Sequence, residues 1–130
     1  MVVLDSSVLI DYLAGDDEVV SFVEAHAGDR LTTVPLVAFE VYQGEVFKSS
    51  PADFDELDAR LRWLTVVRLS DEHPRRSAEL QDRLHRAGAA LSPRDAYIAG
   101  AAYARNEALA HRDSDFDSDV LAEEIELLPV

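Results

Sequence analysis

The chain has 130 residues and no cysteine, and its 12 basic against 26 acidic side chains leave a formal net charge of −14. That length suits one domain, residues 1–130, around one core, and the lack of cysteine excludes disulfides, thiolate metal centres and thiol catalysis. The charge has the wrong sign for gripping nucleic acid through a broad basic face, and no run approaches the roughly 18 to 20 apolar residues that span a bilayer.

An acid within the first five residues, where a basic leader would stand, adds to the expectation of a soluble, cytoplasmic protein without membrane contact. Residues 2–4 are apolar and too few for a helix, so they read as a buried strand, with Asp5-Ser6-Ser7 opening a helix over about 7–14 that Gly15 ends. Asp16-Asp17 can cap a second helix, with Val19, Val20, Phe22 and Val23 inward and Gly28 beyond its end. A second strand is expected over 30–33, and a helix with Pro35 in its first turn runs to about residue 47. Ser50-Pro51-Ala52-Asp53 reads as a capping box before an amphipathic surface helix over 54–63. Residues 65–69 are rich in β-branched side chains and read as a strand, and 74–86 as an amphipathic helix closed by Gly88. Ser92-Pro93-Arg94-Asp95 repeats the box before the uncharged helix 96–104, 109–111 is a short strand, and 125–128 a last edge strand. Short apolar strands alternating with helices predict an α/β fold, a three-layer α/β/α sandwich on a mainly parallel sheet of four to five strands.

Ligands of open parallel sheets bind beyond the carboxyl ends of the strands. Asp5 and Asp113 follow two predicted strands directly, although an aspartate there can equally be a helix cap. Asp95 and Asp53 open the two boxes, but only Asp95 leads a helix without charge, which must pack on the sheet, so Asp95 is expected at the crevice and Asp53 in water. Glu40 is the only charged residue between Arg30 and Glu45; it can lie on the outer stripe of an amphipathic helix with Gln43 and Gly44, but half-buried it would need a cation from elsewhere in the fold, a metal ion being one such. Carboxylates converging in this way suit a hard divalent cation held by oxygen. Of the histidines, His26, His73 and His85 read as solvated, and His111 as a strand-end residue beside Asp113. No phosphate-binding glycine loop, dinucleotide fingerprint or serine nucleophile motif occurs.

At these residues the sequence resembles the PIN-domain ribonucleases, and within them the VapC-type toxins of toxin–antitoxin pairs. Val3-Leu4-Asp5-Ser6-Ser7-Val8-Leu9-Ile10 is similar to the opening strand and first acid of that family. Val37-Ala38-Phe39-Glu40-Val41-Tyr42-Gln43-Gly44 is similar to its second block, Leu91-Ser92-Pro93-Arg94-Asp95-Ala96-Tyr97-Ile98-Ala99 to its third, and Leu109-Ala110-His111-Arg112-Asp113-Ser114-Asp115-Phe116 to its fourth. His111 stands where the family usually carries threonine or serine, and Ser7 where asparagine is more frequent. The resemblance implies that Asp5, Glu40, Asp95 and Asp113 bind Mg²⁺ or Mn²⁺, with Asp115 a further acid nearby. It also implies cleavage of single-stranded or loop RNA, a homodimer, and neutralisation by a small VapB-like antitoxin. Arg94, Arg112 and Ser7 are candidates for phosphate contacts, with surface arginine the plain alternative. Two other roles fit the same residues: a housekeeping RNA-processing nuclease, and a catalytically silent binding module.

Lys48 is the only lysine beside eleven arginines, and acids are spread through every polar stretch. This is the surface expected of a protein from a salt-loaded cytoplasm, such as that of a halophilic archaeon, the alternative being an acidic surface that rejects nucleic acid. Self-repulsion acts over a Debye length of about 30 Å at 0.01 M salt and about 3 Å at 1 M. The unfolding midpoint is therefore expected to rise with KCl well past physiological concentration. A maximum near 0.1 M would remove the salt adaptation.

Overall fold

The computed structural model describes residues 1–130. Five short strands, β1 (Val2–Leu4), β2 (Leu31–Thr33), β3 (Thr65–Val66), β4 (Ala108–His111) and β5 (Leu127–Pro129), form one sheet in the order β3-β2-β1-β4-β5. Every pairing is parallel, with Val2 opposite Leu31 and Val3 opposite Leu109. A strand covered on both faces has no solvent side and need not alternate. β1 and β4 accordingly read Val-Val-Leu and Ala-Leu-Ala-His, buried at every position. In β2 the buried Thr32 and Thr33 hydroxyls donate to the carbonyls of Val2 (3.1 Å) and Leu4 (2.8 Å), so their polar groups are satisfied inside the core.

The chain moves outward from β1 to β2 and β3, then returns to the far side of β1 for β4 and β5. Right-handed crossovers put the helices of these two directions on opposite faces. α1 (Ser6–Leu13), α2 (Asp17–Ala25), α3 (Pro35–Val46) and α4 (Phe54–Arg60) pack among themselves. α5 (His73–Arg86), α6 (Pro93–Arg105) and α7 (Asp119–Glu124) form the other layer, α6 lying on β1 and β4. The expected three-layer α/β sandwich is what forms, and the order in which strands are added reverses between β1 and β4.

Several boundaries differ from the sequence reading. α4 starts at Phe54 because Asp53, not Ser50, is its N-cap: the Asp53 carboxylate accepts from the Glu56 N–H at 3.0 Å, with Asp55 and Glu56 in the first turn. β3 is two residues long instead of five, since only Thr65 and Val66 pair with β2 before the chain leaves the edge. α7, capped by Ser118, was not expected because its six residues are too few to show a helical period. β5 starts two residues later than predicted and ends one later. His73, read as solvated, is buried: α5 begins one residue earlier than expected and the imidazole meets Tyr97 of α6 edge-on at 4.3 Å. Burial pushes its pKa below the ordinary histidine value, so it is a neutral core side chain.

α5 and α6 approach closely at Gly100. A Cβ added there would lie 2.6 Å from the Ser77 Cβ and 2.8 Å from its Cα, closer than carbon atoms pack. Gly100→Ala improves helix propensity but forces the two helices apart. The expected net loss is about 1–3 kcal/mol, read by chemical denaturation; a neutral or stabilising result would show that the helix pair can spread freely.

Candidate active site

Asp5 directly follows β1 and caps α1, so it stands at the carboxyl edge of the central strand, 1 % exposed. Its N–H donates to the Ala110 carbonyl of β4 at 3.0 Å, which ties it to the neighbouring strand. Its Oδ2 accepts from the Ser7 hydroxyl at 2.8 Å, and Ser7 Oγ in turn accepts from the Arg112 N–H at 3.1 Å. Ser7 is thus a strut between Asp5 and the end of β4, with its donor committed to Asp5. Asp95 lies in the first turn of α6 and is 4 % exposed. Ser92 caps that helix by accepting from the Asp95 N–H at 3.2 Å, while the Asp95 carboxylate turns to a different partner. Glu40 sits in the second turn of α3, whose side chains lean toward the helix N-terminus and hence toward the same edge.

That common partner is Arg94. Its Nε and Nη2 donate to the two Glu40 oxygens at 2.8 Å each, a bidentate fork. Nη1 donates to Asp95 Oδ1 at 2.6 Å, and Nη2 also reaches Ser6 Oγ at 2.8 Å and Asp5 Oδ1 at 3.4 Å. One guanidinium joins β1, α1, α3 and α6. Hydrogen bonds to Glu40, helped by the charge of Asp5, hold its pKa above the ordinary arginine value against the opposing effect of burial. Glu40 therefore does find its cation elsewhere in the fold, and the cation is an arginine 54 positions along the chain.

Asp113 follows β4 by two residues and uses its Oδ1 to accept from the Asp115 N–H at 2.9 Å, capping the short 3₁₀ turn Ser114–Phe116. It is joined to Asp5 only through Ser7 and the Arg112 backbone. Asp115 is exposed. His111 is buried against Phe116, and its Nδ1 donates to the Asp113 carbonyl at 3.0 Å, so it braces the turn that carries Asp113. Arg112 is held by Asp11, Asp16 and Glu18 at 3.0–3.2 Å, which raises its pKa, first through the Asp16 hydrogen bond, and leaves it engaged away from the site acids. Asp53 is exposed at the start of α4, apart from the cluster.

The structure thus brings Asp5, Glu40 and Asp95 together around Arg94, while the Asp113 carboxylate caps its own turn after the next strand and is linked to them only through Ser7 and the Arg112 backbone. Ser6, which nothing in the sequence distinguished, joins them through Arg94. An apolar recess lined by Leu9, Val41, Tyr42, Leu57 and Leu61 lies between α1, α3 and α4 and contains none of these acids. The donor chemistry suits a hard divalent ion, being all oxygen and largely buried. As they stand, the acids surround a guanidinium, and no three acidic or imidazole side chains are set as the ligands of one metal ion.

Ser7→Ala would strip Asp5 Oδ2 and the Arg112 N–H of their shared partner. The expected loss is about 1–3 kcal/mol of stability in thermal or denaturant unfolding. No loss would mean that water replaces the strut.

Residues 2–118 match the family model described as PIN domain. No curated protein matches the chain. Among solved structures, VapBC2 from Rickettsia felis bound to a DNA fragment from its promoter is similar with a TM-score of 0.83 at 20% identity, over 99% of this chain and 98% of that one. DNA-bound VapBC from Salmonella typhimurium is similar with a TM-score of 0.80 at 15% identity, over 98% and 96%. VapBC-5 from Mycobacterium tuberculosis gives 0.67 at 25% identity, over 98% and 97%. No helix of this chain is long and apolar enough to cross a membrane.

Proposed function

The chain belongs to the PIN-domain family, a family of nucleases, and from that premise we propose that it is a metal-dependent endoribonuclease acting as the VapC-type toxin of a toxin–antitoxin pair. The observation that carries this reading is the meeting of Asp5, Glu40 and Asp95 at the carboxyl edge of β1, with Asp113 at the edge of β4. Three carboxylates so close repel one another unless a cation lies among them.

Asp5, Glu40, Asp95 and Asp113 would hold Mg²⁺ or Mn²⁺, with Asp115 at the exposed margin. Bound there, a divalent ion supplies a Lewis acid for the phosphate and lowers the pKa of an attacking water. The protein's own part is placement. Ser7 fixes the Asp5 carboxylate, the Ser92 cap leaves the Asp95 carboxylate free to face the cleft, and His111 braces the turn under Asp113. Arg94 is the cation at the cleft able to orient a phosphate in bidentate fashion, whereas Arg112 is already held by three acids. A cytoplasmic homodimer paired with a small VapB-like antitoxin completes the reading, supported by the likeness of the chain to solved VapBC assemblies. Salt-loaded cytoplasm, as in a halophilic archaeon, fits the acidic composition.

One observation favours a second reading. A guanidinium that already satisfies the acids is also what a catalytically silent binding module would keep. The two are separated by Asp5→Asn and Asp95→Asn, each measured for cleavage of single-stranded RNA in Mn²⁺ and for thermal unfolding in chelator. Both variants are expected to fold, because each removes one charge from a cluster of three acids and one guanidinium at nearly constant volume, and both are expected to lose cleavage by about 10²-fold or more. Retained cleavage in both variants would dismiss the assignment of these acids, and no cleavage by the wild-type protein would favour the silent module.

A further inference from the structure

Arg94 does more than neutralise a buried acid. Its fork occupies both oxygens of Glu40, and its other N–H groups take Asp95, Asp5 and Ser6, so all three carboxylates already accept from one guanidinium. Nothing else in the cluster is cationic: the other arginine near this edge, Arg112, is engaged with Asp11, Asp16 and Glu18. The Arg94 side chain is nevertheless 34% exposed, while Asp5 and Asp95 are 1% and 6%. The acids are fixed in the interior, and the cation stands at the mouth with a route to solvent.

We infer that Arg94 is a resident counter-ion that competes with the divalent ion for Asp5, Glu40 and Asp95, and that it must swing out of the cluster for the ion to be bound. A guanidinium and a dication cannot share the same two Glu40 oxygens, and their mutual repulsion opposes joint occupancy. Without the ion, Arg94 keeps the three acids from repelling each other and the fold intact. With the ion, the released guanidinium lies at the mouth of the cleft, where it can meet a phosphate. Loading of the ion and binding of a phosphate are then linked, since each favours the outward position of the same side chain.

This inference rests on the acids being the metal site of the proposed nuclease, and the experiment separates the two. Mn²⁺ binding is measured by titration calorimetry on the full chain, wild type beside Arg94→Gln. The Arg94 Nε–H resonance of the wild type is followed during titration with Mg²⁺. Arg94→Gln is expected to bind Mn²⁺ about tenfold more tightly or better, as the hydrogen bonds that the ion must displace are gone. It is also expected to unfold at lower temperature in chelator. In the wild type the Arg94 Nε–H is expected to be protected from exchange without the ion and to lose that protection at saturating Mg²⁺. If the variant does not fold, the wild-type resonance decides alone. Equal or weaker Mn²⁺ binding by a folded variant, or an Arg94 resonance that stays protected at saturation, would overturn the inference while leaving the metal site standing. Failure of both proteins to bind Mn²⁺ would overturn the metal site and the competition together.

Discussion

Two aspartates, Asp5 and Asp95, are withdrawn from water at the carboxyl edge of the sheet, and burying a carboxylate is costly unless a cation and hydrogen-bond donors face it. Arg94 supplies both, and it brings in Glu40 from a third element. The geometry requires arginine. A planar guanidinium can meet Glu40 with two parallel bonds and still direct other N–H groups to Asp95 and Ser6, whereas a lysine ammonium is a point charge without that fork. Three carboxylates against one guanidinium leave the cluster negative, so the same arrangement that is tolerable in the resting fold retains an appetite for further positive charge.

The sheet order explains why these residues meet. β1 lies at the centre, β2 and β4 flank it in parallel, and the order in which strands are added reverses between them. Residues that follow β1 and β4 are therefore neighbours at one edge although more than a hundred positions separate Asp5 from Asp113 in sequence. α6 crosses β1 and β4 from the other side, and its start lies at the same edge. A cap provided by Ser92 is what lets the Asp95 carboxylate serve the cluster, since the N–H groups of that turn are not left for Asp95 to satisfy.

Much of this was legible along the chain because the signals are local. The apolar triplet before Asp5-Ser6 and the short run before Arg112-Asp113 mark strand ends, and capping chemistry marked the starts of α1, α2 and α6. For Asp5 the two readings, helix cap and site acid, do not exclude each other: it caps α1 through the Ser7 N–H and faces Arg94 with its other oxygen. What the sequence could not display was long-range pairing. Glu40 was recognisable as a charge in need of a partner, but that its partner is Arg94 depends on α3 and α6 meeting across the edge of β1. His73 failed for the same reason, because its neighbour Tyr97 belongs to another helix. The Ser50 box failed locally: two cap candidates stood three residues apart, and the one followed by Asp55 and Glu56 prevailed.

The acidity of the whole molecule bears on how such a site could meet a polyanion. Seven of the eleven arginines, Arg75, Arg76, Arg83, Arg86, Arg94, Arg105 and Arg112, are paired with acids of the same chain. Few cations are thus left free to attract phosphates from a distance, and the net charge of −14 repels them. Attraction must then arise at contact, from positive charge lodged in the acid cluster itself. Salt acts on such a protein in the opposite sense from one with a basic face. It screens the repulsion that opposes encounter, while the short-range, partly buried interactions at the cluster are screened much less. A nuclease built this way would keep its hold on a phosphate backbone in a medium concentrated enough to strip the contacts of an ordinary basic binder.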